Sequence, residues 1–216
     1  YYENQTRYPG SQLLTKPAAL AALSRGYSVI QAIGHGSRSP ISVGNDLITL
    51  ADLATLSSGD SAALWVASNC ASAAVDFDSF AEALLRKPFG GAIAYVGATR
   101  DAWPGVSELV AKTVTQRVVP SQGGGVPLGL AVDAARRALL PLATGETTQR
   151  WGYFETILLG DPLLRIWKCA PATLSVTGPA SVALGAGGFS VSVQSEGAPV
   201  ESALVVAVKA GEDYRA

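Results

Sequence analysis

Val29-Ile30-Gln31-Ala32-Ile33-Gly34-His35-Gly36-Ser37 is a mostly apolar run that ends in the only histidine of the chain. A second run, Ala62 to Ala67, leads through Ser68-Asn69 into Cys70, the first of two cysteines. Runs of this length, without alternation, are what strands buried on both faces of a parallel sheet require, and Tyr27 to Ile33 and Ala62 to Ala67 are expected to be two of them. Gly91-Ala-Ile-Ala-Tyr-Val96 supplies a third.

Helical patterns fill the gaps. Pro17 to Arg25 reads as a short helix with Pro17 in its first turn and Gly26 as its stop. Ile48 to Leu56 predicts another. Ser79-Phe-Ala-Glu82 is a capping box opening a helix with Phe80, Ala81, Leu84 and Leu85 on one face. Val106, Leu109, Val110, Thr113 and Val114 trace a helical stripe, and Leu128, Ala131, Val132, Ala135 and Leu139 trace the next, with Gly123-Gly124-Gly125 as a flexible loop between them. Strand and helix alternate at βαβ spacing, so the expected fold class is α/β, a three-layer αβα domain with a mostly parallel sheet. After Cys169 the pattern changes. Leu174 and Val176, Val182 and Leu184, then Phe189, Val191 and Val193 alternate with polar residues between Gly- and Pro-containing turns, as strands of a partial β-sandwich do. The expected domains are residues 1–168 and 169–216, the second with room for about four strands where an immunoglobulin-like sandwich uses about seven.

Composition narrows the function. The 216 residues are 48% hydrophobic and 15% charged, and 16 basic against 17 acidic residues leave a net charge of −1. Without basic clusters there is no electrostatic footprint for nucleic acid. Without an 18-residue apolar stretch there is no membrane span. Two cysteines and one histidine make neither a disulfide framework nor a zinc site. The chain opens with Tyr1-Tyr2, as a processed piece of a longer protein would, so it carries no information on a secretion signal.

In a parallel sheet, ligands gather beyond the carboxyl ends of the strands. His35 and Cys70 each follow a strand within a few residues, and the 35 positions separating them leave room for one helical crossover. If the two strands are neighbours, both side chains emerge on one rim. A thiol must lose its proton to attack a carbonyl, and an imidazole beside it can accept that proton. Gly36 allows close backbone approach, and its amide and that of Cys70 are candidates for an oxyanion hole. Either residue alone would read as a packed thiol or a structural imidazole; the pair at two strand ends reads as catalytic.

These residues resemble a family. A hydrophobic block with His-Gly, followed by a hydrophobic block with Cys, is the arrangement of the caspase-like cysteine peptidases. The closer similarity is to the gingipains. It rests on Gly34-His-Gly-Ser37, the Cys70 block, the helix Ser79 to Leu85 followed by Pro88-Phe-Gly-Gly-Ala-Ile-Ala94, Gly97-Ala-Thr-Arg100 with Trp103, and Leu158-Leu-Gly-Asp-Pro-Leu-Leu-Arg165. It spans about residues 17 to 167, and an immunoglobulin-like domain after the catalytic one also fits. The resemblance implies an endopeptidase acting on polypeptides through a thioester acyl-enzyme, on the outside of a bacterial cell or secreted. His35 then looks like the general acid/base, Cys70 like the nucleophile, and the Gly36 and Cys70 amides like the oxyanion hole. Trp103 resembles the aromatic flanking the specificity pocket. No metal cofactor is required, and a structural calcium ion is compatible.

The sequence also departs from that pattern. Caspase-type Gln-Ala-Cys-Arg/Gln/Gly-Gly is absent around Cys70. The acidic pocket residue and histidine-orienting carboxylate of gingipains come from well upstream, where this chain has only Glu3. Another chain or segment is therefore expected to complete the fold. Asp76, Asp78 and Asp101 lie near the expected rim, with Asp101 the candidate for substrate binding and Asp78 a helix-start residue. Asp161 reads as a turn residue, and Cys169 as a packed thiol at the domain junction. Two alternatives keep the same residues: a transpeptidase passing the acyl group to an amine, and a catalytically silent surface scaffold.

Overall fold

The computed structural model describes residues 1–59, 61–120, 125–145, 147–167, 172–181 and 187–206. The chain divides into two compact units, residues 1–168 and 169–216. Gly123-Gly124, Cys169, Val182 and Leu184 lie outside the described residues.

In the first unit, helix α1 (Lys16–Leu23) is capped by the Thr15 hydroxyl, with Pro17 in its first turn. Strand β1 (Val29–Ile33) follows, then a hairpin of β2 (Ile41–Val43) and β3 (Asp46–Ile48), and helix α2 (Leu50–Thr55). Ile48, expected in that helix, ends the hairpin instead, because the Thr49–Asp52 capping box makes Thr49 the cap and starts the helix at Leu50, two residues later. Strand β4 (Ala63–Ser68), helix α3 (Phe80–Arg86), strand β5 (Ala92–Ala98) and helices α4 (Val106–Val118) and α5 (Leu128–Leu139) come next. Helix α6 (Thr148–Glu155) then runs directly into β6 (Thr156–Gly160).

The sheet has the order β1-β4-β5-β6. The first three strands are parallel, and β6 is antiparallel to β5. The pattern of the sequence did not announce β6. Helices α4 to α6 connect β5 to β6, and α6 delivers the chain straight into β6, which runs antiparallel to β5. Side chains of β4 alternate between two cores. Trp65 and Ala67 pack with Phe80, Leu84 and the residues of α1 to α3 on one face. Leu64 and Val66 pack with Val110, Val114, Leu128 and Leu139 of α4 and α5 on the other. Helices on both faces of a mostly parallel sheet make the expected three layers.

One strand differs from expectation. β1 lies at the sheet edge, with Gln31 and Ile33 exposed, so it is not buried on both faces as its composition suggested. β4 and β5 are the inner strands, and all six β4 residues are buried.

Helix α3 ties the sheet to its loops. Ser79 caps it reciprocally with Glu82: the Ser79 Oγ accepts the Glu82 N–H at 3.3 Å, and the Glu82 carboxylate accepts the Ser79 N–H at 3.0 Å. Ser79 is fully buried, so Ser79→Ala strands the Glu82 amide without a partner. The expected loss is about 1 kcal/mol, read as a lower denaturant midpoint at unchanged slope.

Taken by itself, the second unit forms a three-stranded antiparallel sheet of β7 (Leu174–Thr177), β8 (Ser192–Ser195) and β9 (Ala198–Pro199). The Gly197 turn between β8 and β9 has φ +82°, a conformation that glycine takes without strain.

Candidate active site

Register brings His35 and Cys70 level. Ile33 of β1 pairs with Ser68 of β4, so His35 and Cys70 each lie two residues beyond a matched pair on adjacent parallel strands. The Gly34 N–H donates to the Ser68 carbonyl at 3.2 Å, which carries the pairing past the strand ends. The loops then touch. A Cβ built on Gly36 would stand 3.0 Å from Asn69 Cβ and Cγ and 3.0 Å from the Cys70 carbonyl oxygen. A side chain at this position would crowd the cysteine loop, and glycine lets the histidine loop lie this close to it.

The histidine loop is held by its own backbone. The His35 N–H donates to Ser42 Oγ at 2.9 Å, and the Ser42 N–H returns to the His35 carbonyl at 2.8 Å. Farther along, the Phe80 N–H donates to the Arg38 carbonyl at 2.6 Å, and Arg38 lies over the Phe77 ring. The next amide of α3, Ala81 N–H, goes to the Ser72 carbonyl at 3.0 Å. Two of the amides that a helix N-terminus leaves free are thus used to staple both loops, one each.

The cysteine loop bends sharply. Ala71, directly after Cys70, has φ +50°, a left-handed conformation that costs an alanine about 1–2 kcal/mol. Hydrogen bonds hold the bend, from Ala71 N–H to the Arg100 carbonyl at 2.8 Å and from Ala73 N–H to the Ala98 carbonyl at 3.0 Å. Behind it runs a buried polar chain in which Tyr95 Oη donates to Ser72 Oγ at 2.8 Å and Ser72 Oγ donates to Asn69 Oδ1. Burial pushes the Tyr95 phenol far up, so it stays a neutral donor. Trp65, stacked at 6.4 Å on Tyr95 and edge-on to Phe80 at 6.0 Å, packs under the same loop.

Cys70 itself is half-buried and free. Its sulfur lies 3.4 Å from the Ala102 N–H, which donates to it, and 3.7 Å from the Ala102 carbonyl. The 99–103 segment therefore forms a third wall. Trp103, 48% exposed, follows Ala102 directly, and its carbonyl accepts the Val106 and Ser107 amides that start α4. Ser107 Oγ in turn meets Ser68 Oγ at 2.8 Å at the end of β4.

The acidic candidates separate. Asp76 is taken by Arg100 in a two-pronged pair at 3.0 and 3.1 Å, which holds its carboxyl below the usual range. Asp78 pairs with Arg86 at 3.2 Å, while Ser79 serves as the helix cap. Asp101 is exposed on the 99–103 segment, one residue from Ala102. Glu3 is exposed in the N-terminal segment. Asp161 makes its turn, accepting the Leu163 N–H at 2.8 Å.

The sequence reading did not single out Ser42, Asn69, Ser72, Tyr95, Ala102, Trp151 or Glu155. The polar run Ser68-Asn69-Cys70, set against an apolar strand, was the available signal for the buried chain. Ala102 acts through its amide and leaves no mark in the residue types.

Parallel strands with a histidine and a cysteine loop pressed together at their carboxyl ends define an α/β class with its site on one rim. The chain belongs to peptidase family C25, the gingipain family, whose model matches residues 1–167. A comparison with curated proteins gave no match. Among solved structures, the fold is similar to the pro- and mature-domain complex of Porphyromonas gingivalis RgpB, with a TM-score of 0.71 at 17% identity over 85% of this chain and 44% of that one. It is similar also to the Arg-specific cysteine proteinase gingipain R, with a TM-score of 0.72 at 18% identity over 85% of this chain and 43% of that one. A third structure, described as a protease, aligns with a TM-score of 0.60 at 20% identity, over 89% and 48% of the two chains. The chain spans less than half the length of each of these solved chains.

Proposed function

We propose that this chain carries the reacting residues of a cysteine endopeptidase. The observation that carries the reading is the contact of Gly36 with Asn69 and Cys70, which sets His35 and Cys70 on one rim. In the reaction His35 takes the thiol proton and the Cys70 sulfur attacks the scissile carbonyl. His35 then gives that proton to the leaving amine as the tetrahedral intermediate collapses to a thioester. Water, deprotonated by His35, releases the acid and restores the thiol. The Gly36 and Cys70 amides face the oxyanion, Trp103 walls the substrate groove, and Asp101 binds substrate on the same side. The Ala102 N–H supplies a hydrogen bond to negative charge on sulfur.

The substrate is a polypeptide, and the chemistry needs no metal, while a structural calcium ion elsewhere is compatible with it. Membership of family C25 supports secretion or display at the cell surface. The alternating apolar and polar residues after residue 169 support an immunoglobulin-like partner domain.

Labelling with peptide ketones that carry Arg, Lys or Asp next to the electrophile tests the reading on wild type and Cys70→Ala. The expected result is covalent label mapped to Cys70 and lost in the variant. A folded protein in which no ketone labels Cys70 would leave the surface-scaffold alternative. Adding an amine during turnover separates peptidase from transpeptidase by whether the acid or a new amide accumulates.

A further inference from the structure

Glu155 has no part in that chemistry, yet it is built into the wall behind Cys70. It is the last residue of α6, 5% exposed and the only buried carboxylate among the described residues. Its Oε2 has no hydrogen-bond partner. An orphaned buried carboxylate oxygen is costly, and a site that retains one needs a reason.

Its surroundings lead to the sulfur in few steps. The Glu155 backbone carbonyl accepts the Thr99 N–H at 3.0 Å and the Thr99 hydroxyl at 3.2 Å. One turn earlier on α6, the Trp151 indole N–H donates to the Asp101 carbonyl at 2.8 Å. Between and beside these clamps, the Arg100 carbonyl receives the Ala71 N–H, and Ala102 presents its N–H to Cys70 Sγ. Helix α6 thus grips one side of the 99–102 segment, and the cysteine loop is bonded to the other.

We propose that Glu155 is a positioning residue for Cys70: protonated, it lets α6 hold Asp101 and Ala102 in place, and ionised, it repels Asp101 and draws the Ala102 amide away from the sulfur. The inference rests on the reading of Cys70 as the nucleophile. It supplies a regulation that reading lacks, a fall in thiol reactivity above neutral pH set by a residue remote from substrate.

The electrostatics agree with the geometry. Burial pushes the Glu155 carboxyl up to about 7, the Trp151 indole opposes this, and the Asp101 charge adds to it. Of the two cations bonded to this region, Arg100 is held by Asp76, while Arg136 of α5 donates to the Thr156 carbonyl and keeps a buried Nε without a partner. Nearer the middle of α6, the atoms closest to Gly152 belong to the apolar Val106 of α4 and Leu139 of α5.

The test is the rate of Cys70 alkylation by iodoacetamide, followed by peptide mapping, across neutral pH in wild type and Glu155→Gln. Glutamine keeps the shape and cannot ionise. The expected wild-type rate, divided by that of the variant, is constant at acid pH and falls severalfold through about pH 7. Asp101→Asn, an exposed change, is expected to move that fall to lower pH and to shrink it, because the charge that raises the Glu155 carboxyl and repels it is gone. A purely structural Glu155 would lower the rate by one factor at every pH, so a flat ratio overturns the proposal. So does an Asp101→Asn profile that superposes on wild type. The underlying reading fails separately: a Cys70 with the expected alkylation profile that takes up no peptide ketone would be positioned as proposed but would not be a peptidase nucleophile.

Discussion

His35→Ala, Cys70→Ala and the double variant are expected to lower kcat/KM for a peptide amide by the same factor, on the order of 10³ to 10⁴. Equality of the three is the informative part. Without the imidazole, the thiol has no base to take its proton and the leaving amine has no acid. Without the thiol, the imidazole has nothing to activate. Each loss disables the same step, so the second adds nothing to the first. The residual rate comes from groups that bind the substrate and the developing oxyanion. The measurement is steady-state hydrolysis of a fluorogenic peptide by each variant, with unfolding curves to show that all remain folded. Factors that multiply in the double variant would mean that His35 and Cys70 act in different steps, and the dyad would be abandoned.

The parts of this site that were legible in the sequence share one property: they lie where a periodic element ends. Apolar runs before Gly34 and before Ser68 marked strands, and the residues just beyond them had to reach the same sheet edge if the strands were neighbours. The capping box at Ser79 and the stripes of α4 and α5 were readable for a similar reason, because a repeat fixes which face is buried. What escaped depended on partners distant along the chain. β1 has the composition of an inner strand, but its place at the edge is decided by what lies beside it. β6 is short, and its direction is decided by how α4 to α6 return the chain to the edge of β5. Asn69, Ser72 and Tyr95 look unrelated in the sequence, and only the alignment of β4 with β5 joins them into one hydrogen-bonded chain. Ala102 contributes a backbone amide, and Glu155 matters because it is buried. Neither property is written in residue type. Trp103, named from the resemblance, and Asp101, named from its place along the sequence, flank Ala102, whose amide makes the direct contact with sulfur.

Gly36→Val is expected to lower kcat/KM by about 10²-fold or more while leaving the fold intact. A bare Cβ at this position already stands 3.0 Å from Asn69 and from the Cys70 carbonyl, tighter than side chains normally tolerate, and the two γ-methyls of valine extend beyond it. Asn69 cannot readily give way, because Ser72 and Tyr95 hold its carboxamide from behind. The Cys70 carbonyl is backbone, in a bend fixed through Ala71 and Ala73. The strain is therefore relieved by moving the histidine loop away from the cysteine loop. That loop is tied to β2 at Ser42 and to α3 at Arg38, and Gly36 itself bridges to Ile41 of the first core, so unfolding curves accompany the rates to separate a shifted loop from a loosened core. A shift of about 1 Å between base and nucleophile is enough to cost two orders of magnitude in rate. Gly36→Ala should fall between valine and wild type. Gly187→Ala, where an added Cβ meets nothing within 4 Å, should match wild type. Alkylation of Cys70 by a small reagent separates causes, since a displaced base slows it whereas a merely blocked peptide groove does not. Full activity in Gly36→Val would mean that the two loops need not touch, and it would remove the contact on which the pairing of His35 with Cys70 rests.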